Sequence, residues 1–422
     1  MRLWLIPTIY IAASVAGGLA VPRIEQRIEQ AYLPFHALDL SVASAQAYLA
    51  AAASGMMALT GIVFALAFVM VQFSAIAYSP RLVLWFARDR MLFHSLGAFV
   101  ATFIYALFTL GWVDRGGSAT VPPLSPLVVA VMLVISMLLF ARLMQRLSDL
   151  QITSVLHLIG DRGRAVIREM FKTGDEAKRA RDVGNGIGEP ARLAAPTQSL
   201  NYSGKPRTIA KLDIDALVRQ AAGVGGVIVM SCAVGDTLVE GTPLLQVHGG
   251  ASPLPERGLM RAIHLATERT FEQDPKYPIR LLVDIAIKAL SPAINDPTTA
   301  VQTIDQIEDL LRRLGGCQLD AGRATDASGA VRLVVPMPTW EDYMALAFDE
   351  IRQYGATSIQ VVRRLRSALV YLANSLPDTE RAEAVRRYLA HLDAAIEHSP
   401  LDAEDRLTAH QEDRQGLGLS RR

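Results

Sequence analysis

Cysteine is nearly absent from this chain, and lysine is wholly absent from its first 144 residues. The two cysteines, Cys232 and Cys317, stand 85 positions apart. That spacing makes neither a CxxC redox pair nor a zinc knuckle, and both read as free thiols of a reducing compartment. The eight histidines form no HExxH or other metal spacing, so nothing argues for a metal or a cofactor. A GxSxG elbow, a P-loop and a Cys-His signature are missing too, which lowers the case for an enzyme. Charge of one sign is lacking as well: the formal net charge is +1. Residues 145–422 carry 34 basic and 36 acidic side chains. A surface that neutralises phosphates is not visible, and nucleic acid is not an expected partner.

What the chain does have is apolar sequence, 51% of its 422 residues, gathered toward the N-terminus. A helix needs about 20 apolar residues to cross roughly 30 Å of hydrocarbon. Four runs meet or approach that length: 3–21, 56–78, 93–113 and 124–143. The first is longer than a typical signal core and is expected to be retained. The Ala-rich stretch before the second run is expected to extend that helix outward. Arg81, Arg88 and Arg90 sit between the second and third runs, with Arg2 before the first and Arg142 and Arg146 around the end of the fourth. Basic residues mark the cytoplasmic side, which predicts a multi-pass membrane protein with both termini and the large unit after the fourth run in the cytoplasm. Gln72 and Ser74 are polar positions deep in the second run. Their structural reading is helix-to-helix hydrogen bonding; their functional reading is a pore lining, which needs a ring of subunits.

Five segments follow from the pattern: a four-helix transmembrane domain over 1–146, a helical extension and linker over 147–206, a small β-rich module over 207–252, a mainly helical cytoplasmic domain over 253–400 and a loosely held charged tail over 401–422. The fold class is therefore an α-helical integral membrane protein with a cytoplasmic α+β domain. The extension is expected to continue the fourth membrane helix. Helical periodicity predicts helices over 255–272, 279–290, 297–314, 339–354, 356–375 and 379–398, with one strand in VRLVV. Gly223, Gly225 and Gly226 follow a helix and precede a strand. That order is the reverse of a phosphate loop and fits helix termination.

One stretch, IKALSPAINDPTTAVQTI (287–304), breaks a helical pattern and resumes it at once. Pro292 cannot continue the first helix, Pro297 suits the first position of the next, and Asp296 is the natural N-cap for the amides of Thr298 or Thr299. Upstream, Arg280, Asp284, Lys288 and Ser291 share one helix face. A corner beside a solvated charge ladder explains most of this. The sharper reading makes Arg280, Asp284, Lys288, Ser291, Asn295, Asp296, Thr298 and Thr299 a ligand or subunit-contact site, with the second helix end ready for a small anion.

The run IRLLVDIAIKALSPAINDPTTAVQTID, the four apolar spans before it, SPRLVLWFARD after the second span and GDTLVEGTPLLQV in the β-rich segment together resemble the domain-of-unknown-function 2254 family of predicted bacterial membrane proteins. The resemblance covers roughly residues 3–400. It implies an integral membrane protein and carries over no catalytic residue. The expected function is a non-enzymatic homo-oligomer in the lipid bilayer whose cytoplasmic domain assembles subunits or senses a ligand and gates a small pore. The alternative is a membrane-anchored enzyme acting on an anionic small molecule at the 284–299 helix-turn-helix.

Overall fold

The computed structural model describes residues 3–29, 40–77, 90–115, 121, 124–148, 151–171, 195–319 and 322–418. They fall into two compact units, Met1–Gln151 and Ile152–Arg422. The 78–89 loop with Arg81 and Arg88, and the 172–194 part of the expected linker, lie outside the described residues.

The described residues of unit one hold four helices: α1 (Leu5–Glu29), α2 (Val42–Ala77), α3 (Arg90–Leu110) and α4 (Ser125–Ser148). Each contains a stretch long and apolar enough to cross a membrane. Helix α2 starts at Val42 and has 36 residues, so the Ala-rich stretch is continuous with the second span. At 1.5 Å per residue it is about 54 Å long, well beyond the hydrocarbon thickness. Helix α3 is the centre of the bundle. Half of its apolar window is buried, against 22%, 22% and 17% for the others, and it packs on α1, α2 and α4. Ser95, Thr102 and Thr109, seven residues apart, are buried along it. Thr102 Oγ1 donates to the Ala98 carbonyl at 2.8 Å and lies 3.1 Å from Ser136 Oγ of α4. The Thr102 hydroxyl is thus satisfied inside the bundle, whereas those of Ser95 and Thr109 are buried there without a hydrogen-bond partner among the described residues.

Unit two opens with α5 (Ile152–Met170). The expectation that this segment prolongs the fourth span is corrected: α4 ends at Ser148, and α5 is a separate amphipathic helix. Its buried face, including Val155, Ile159, Gly163 and Val166, packs on the helical core of unit two instead. Gly163 permits the approach, since a Cβ there would meet the Leu310 methyls and Pro278.

Next come β1 (Pro196–Asn201), β2 (Arg207–Leu212), α6 (Ile214–Val224), β3 (Val227–Met230), β4 (Thr237–Leu238), β5 (Pro243–His248), α7 (Glu256–Arg261) and β6 (Ile263–Ala266). Helices α8 (Lys276–Ala289) and α9 (Pro297–Gly315), strands β7 (Arg323–Thr325) and β8 (Val331–Val334), and helices α10 (Trp340–Gly355), α11 (Ile359–Ser375), α12 (Thr379–Glu397) and α13 (Ala403–Ala409) follow among the described residues. One sheet has the order β1-β5-β3-β8-β7 and a second the order β4-β2-β6. Among the described residues only the β3–β8 pairing is parallel.

Three expectations are corrected. Residues 196–201 fell in the expected linker, yet β1 pairs along β5; Pro196 is tolerated because it opens an edge strand. The helix expected over 255–272 stops at Arg261, because Ile263–Ala266 pairs with β2 and the sheet overrides local helical periodicity. The tail is docked through residue 418: Asp413 is 4% exposed and its carboxylate accepts the amides of Gln415, Gly416 and Gly418. Gly225 ends α6 in the left-handed conformation at φ +70°, its amide donating to Ala221 and Ala222 carbonyls, which is the helix termination expected there.

Candidate functional site

The corner between α8 and α9 forms as its residues dictate. Pro297 occupies the first turn of α9, and Asp296 Oδ1 accepts the Thr299 amide at 3.1 Å while Oδ2 accepts its hydroxyl at 2.6 Å. The Asp296 amide donates to the Ala289 carbonyl at 2.8 Å, and the amides of Ile294 and Asn295 donate to Ser291. Asn295 has φ +48°. Asparagine is among the few side chains that tolerate this left-handed region, which accounts for its presence. The Ser291 hydroxyl donates to the Lys288 carbonyl at 2.7 Å. Thr298 is exposed and Thr299 buried. Thr299 is thus capped from within, and the Asp296 carboxylate puts a negative charge at the end of α9. Asp296→Ala is expected to destabilise the protein by about 1 kcal/mol, the usual worth of an N-cap, measured by chemical denaturation.

The charge ladder is not the solvated face expected. Arg280 and Asp284 have side chains 19% and 17% exposed, and they look toward α10. Arg280 Nε donates to Asp284 Oδ1 at 2.6 Å, and Nη1 and Nη2 grip Glu350 Oε1 and Oε2 at 2.5 and 2.8 Å. This fork holds the Glu350 carboxyl below the usual carboxylate range, and it fixes α8 against α10. Lys288 is half-buried, and burial pulls its ammonium down from the ordinary lysine value. The surface of the corner is Pro292–Asn295, with Ile294 41% exposed.

A cavity formed by described residues of unit two is lined by none of these eight. That cavity, about 290 Å³, lies among the end of α5, the end of β2, the β3–β4 turn, the approach to α8 and the β7–β8 edge. Its walls are largely apolar, with Met170, Leu212, Val234, Val335 and Met337. Gln273 fastens the approach segment to β2, its Oε1 accepting the Leu212 amide at 2.9 Å and its Nε2 donating to the Leu212 carbonyl at 3.2 Å. Asp274, 1% exposed, forms part of the lining. Burial pushes its carboxyl up, and the Arg269 guanidinium opposes that rise. Arg269 Nε and Nη2 reach Asp274 Oδ2 at 2.9 and 2.8 Å, and Oδ1 accepts the Lys276 amide at 3.1 Å. Gly235, at φ +91°, lies against this ion pair so closely that a Cβ would collide with both partners. Sequence reasoning missed the cavity because its lining comes from segments more than 160 positions apart.

In unit one, Gln72 is exposed on α2; the side chain of Ser74 lies outside the described residues. Glu25 is a polar position the sequence reading passed over. The first span was expected to end at residue 21, but α1 runs to Glu29 and buries Glu25 to 4% exposure. Its carboxylate accepts the Leu124 and Ser125 amides, both at 3.3 Å, and the Ser125 hydroxyl at 2.8 Å. An acid from α1 therefore caps α4. Just past α3, the guanidinium carbons of Arg23 and Arg115 lie over the Trp112 ring, 5.5 and 4.2 Å from its centre.

Four apolar helices, joined in one chain to a helical unit with two small sheets, define a polytopic membrane protein carrying a second folded unit. Residues 1–371 match the model of the DUF2254 family, described as predicted membrane protein, and the chain belongs to that family. It is 27% identical over 419 residues to an uncharacterised protein of Mycobacterium bovis, covering 96% of this chain and 78% of that one. An uncharacterised protein of Mycobacterium tuberculosis gives the same identity and coverage. No solved structure matches the chain.

Proposed function

We propose that this protein is a non-enzymatic homo-oligomer of the bacterial inner membrane, assembled through α2, with unit two in the cytoplasm sensing a ligand and the assembled second spans bordering a small pore. The observation that carries the reading is the outward face of α2. Ala51, Ser54, Ala58, Gly61 and Ala65 recur at intervals of three and four and are all exposed, and the same face reaches Gln72. A Cβ at Gly61 would meet nothing within 4 Å. Small residues let membrane helices approach closely, and a polar amide in a membrane helix faces protein or water. A second copy on this face supplies both. Gln72 and Ser74 then border the pore, and the exposed corner at Ile294 is a further subunit contact. The Arg81, Arg88 and Arg90 cluster supports a cytoplasmic unit two.

Light scattering on the detergent-solubilised protein is expected to give a multiple of the 45.9 kDa protomer mass. Gly61→Phe, which fills the α2 face without touching the protomer's own packing, is expected to lower it to one protomer. A strict monomer at every concentration contradicts the reading.

A further inference from the structure

The cavity of unit two has a charge pattern that points to one class of ligand. Besides its apolar walls it is lined by Glu169, Glu272, Lys211 and Lys276, two charges of each sign. Among the described residues none of these four side chains enters an ion pair. Elsewhere in the same unit Arg164, Arg269, Arg280 and Arg364 are all bound to carboxylates. The buried Asp274 adds no unmet charge, because Arg269 neutralises it. Nor does α8 offer phosphate its N-terminus, since Asp274 takes the Lys276 amide. The site is therefore electrically balanced. It is small, at the bottom of the range of about 300–1,000 Å³ typical of small-molecule pockets, and its balance disfavours nucleotides and other polyanions.

We propose that this cavity binds a small zwitterion of amino-acid size with an apolar side chain. The apolar body lies against Met170, Val335 and Met337, the ligand carboxylate meets Lys211 and Lys276, and its ammonium meets Glu169 and Glu272. This rests on the ligand-sensing part of the proposed function and names its ligand class.

The test is calorimetric titration of the full-length detergent-solubilised protein with L-leucine and L-phenylalanine. Parallel titrations use 4-methylpentanoate, which lacks the amine, and 3-methylbutylamine, which lacks the carboxylate. At least one amino acid is expected to bind, with either truncated analogue weaker by about tenfold or more, the scale of one lost charged hydrogen bond. Lys276→Gln and Glu272→Gln are each expected to weaken binding by about tenfold while leaving the unliganded thermal unfolding curve in place. Failure of both amino acids to bind overturns the proposal. So does equal binding of the carboxylate or the amine alone, or full binding by both variants. The oligomer mass measured on the same samples separates this failure from failure of the assembly reading.

Discussion

Arg364→Ala is expected to destabilise the protein by about 3–5 kcal/mol, the cost of removing one partner from a buried ion pair. Arg364 has a side chain only 6% exposed and lies on α11 facing α9. Its Nε donates to Asp305 Oδ1 at 2.7 Å and its Nη2 to Glu308 Oε2 at 2.5 Å. Glu308 is itself 16% exposed, so truncation strands a desolvated carboxylate in the interface between two helices. Denaturant unfolding of the full chain in detergent, followed by far-ultraviolet circular dichroism, measures it. Arg364→Lys retains a charge but not the two-pronged geometry, and is expected to recover only part of the loss. A loss in Arg364→Ala no larger than that of an exposed pair such as Arg386–Glu383, at most about 1 kcal/mol, contradicts the packing of α9 on α11 described above.

Gly235→Ala has the second largest expected effect, about 3 kcal/mol or more. Two causes add. A side chain at φ +91° costs roughly 1–2 kcal/mol of backbone strain. The new methyl also pushes Arg269 away from Asp274, leaving a carboxylate that is 1% exposed without its partner. Gly241→Ala is the internal control. Gly241 has φ +83°, but a Cβ there meets nothing within 4 Å, so that variant bears the backbone strain alone. The difference between the two variants isolates the ion pair beside the cavity. Equal losses at both positions contradict its structural role.

Membrane spans were legible in the sequence because length and apolarity alone specify them. The four windows reappear as helices, three with ends shifted by a few residues and the second starting well earlier, at Val42. The α8–α9 corner was legible because capping is local: Pro297, Asp296 and Thr299 lie within three positions and need no distant partner. The purpose of Asn295 was not, since a left-handed backbone leaves no periodic signal. The charge ladder was misread for a different reason. Spacing reports which side chains share a face, and the carboxylate that engages Arg280 is Glu350, 70 positions away on α10. Strand β6 and edge strand β1 failed in the same way, because their partners across the sheet decide their conformation. Glu25 escaped notice because an acid past the end of an apolar run reads as interfacial, and only the length of α1 carries it to the start of α4. The cavity required the whole tertiary arrangement, and its four charged residues are unremarkable one by one.

Assembly through α2 is the central claim, and cysteine cross-linking in native membranes tests it most directly. Cys232 and Cys317 are both buried, so the unsubstituted protein supplies the background. Ala58→Cys and Ala65→Cys stand on the exposed small-residue face of α2, whereas Val63→Cys stands on its buried face. Mild oxidation joins thiols only when their Cα atoms lie within about 7 Å. Ala58→Cys and Ala65→Cys are expected to give a covalent dimer at twice the 45.9 kDa protomer mass, and Val63→Cys none. No dimer from either exposed position, or as much from Val63→Cys, contradicts assembly through this face.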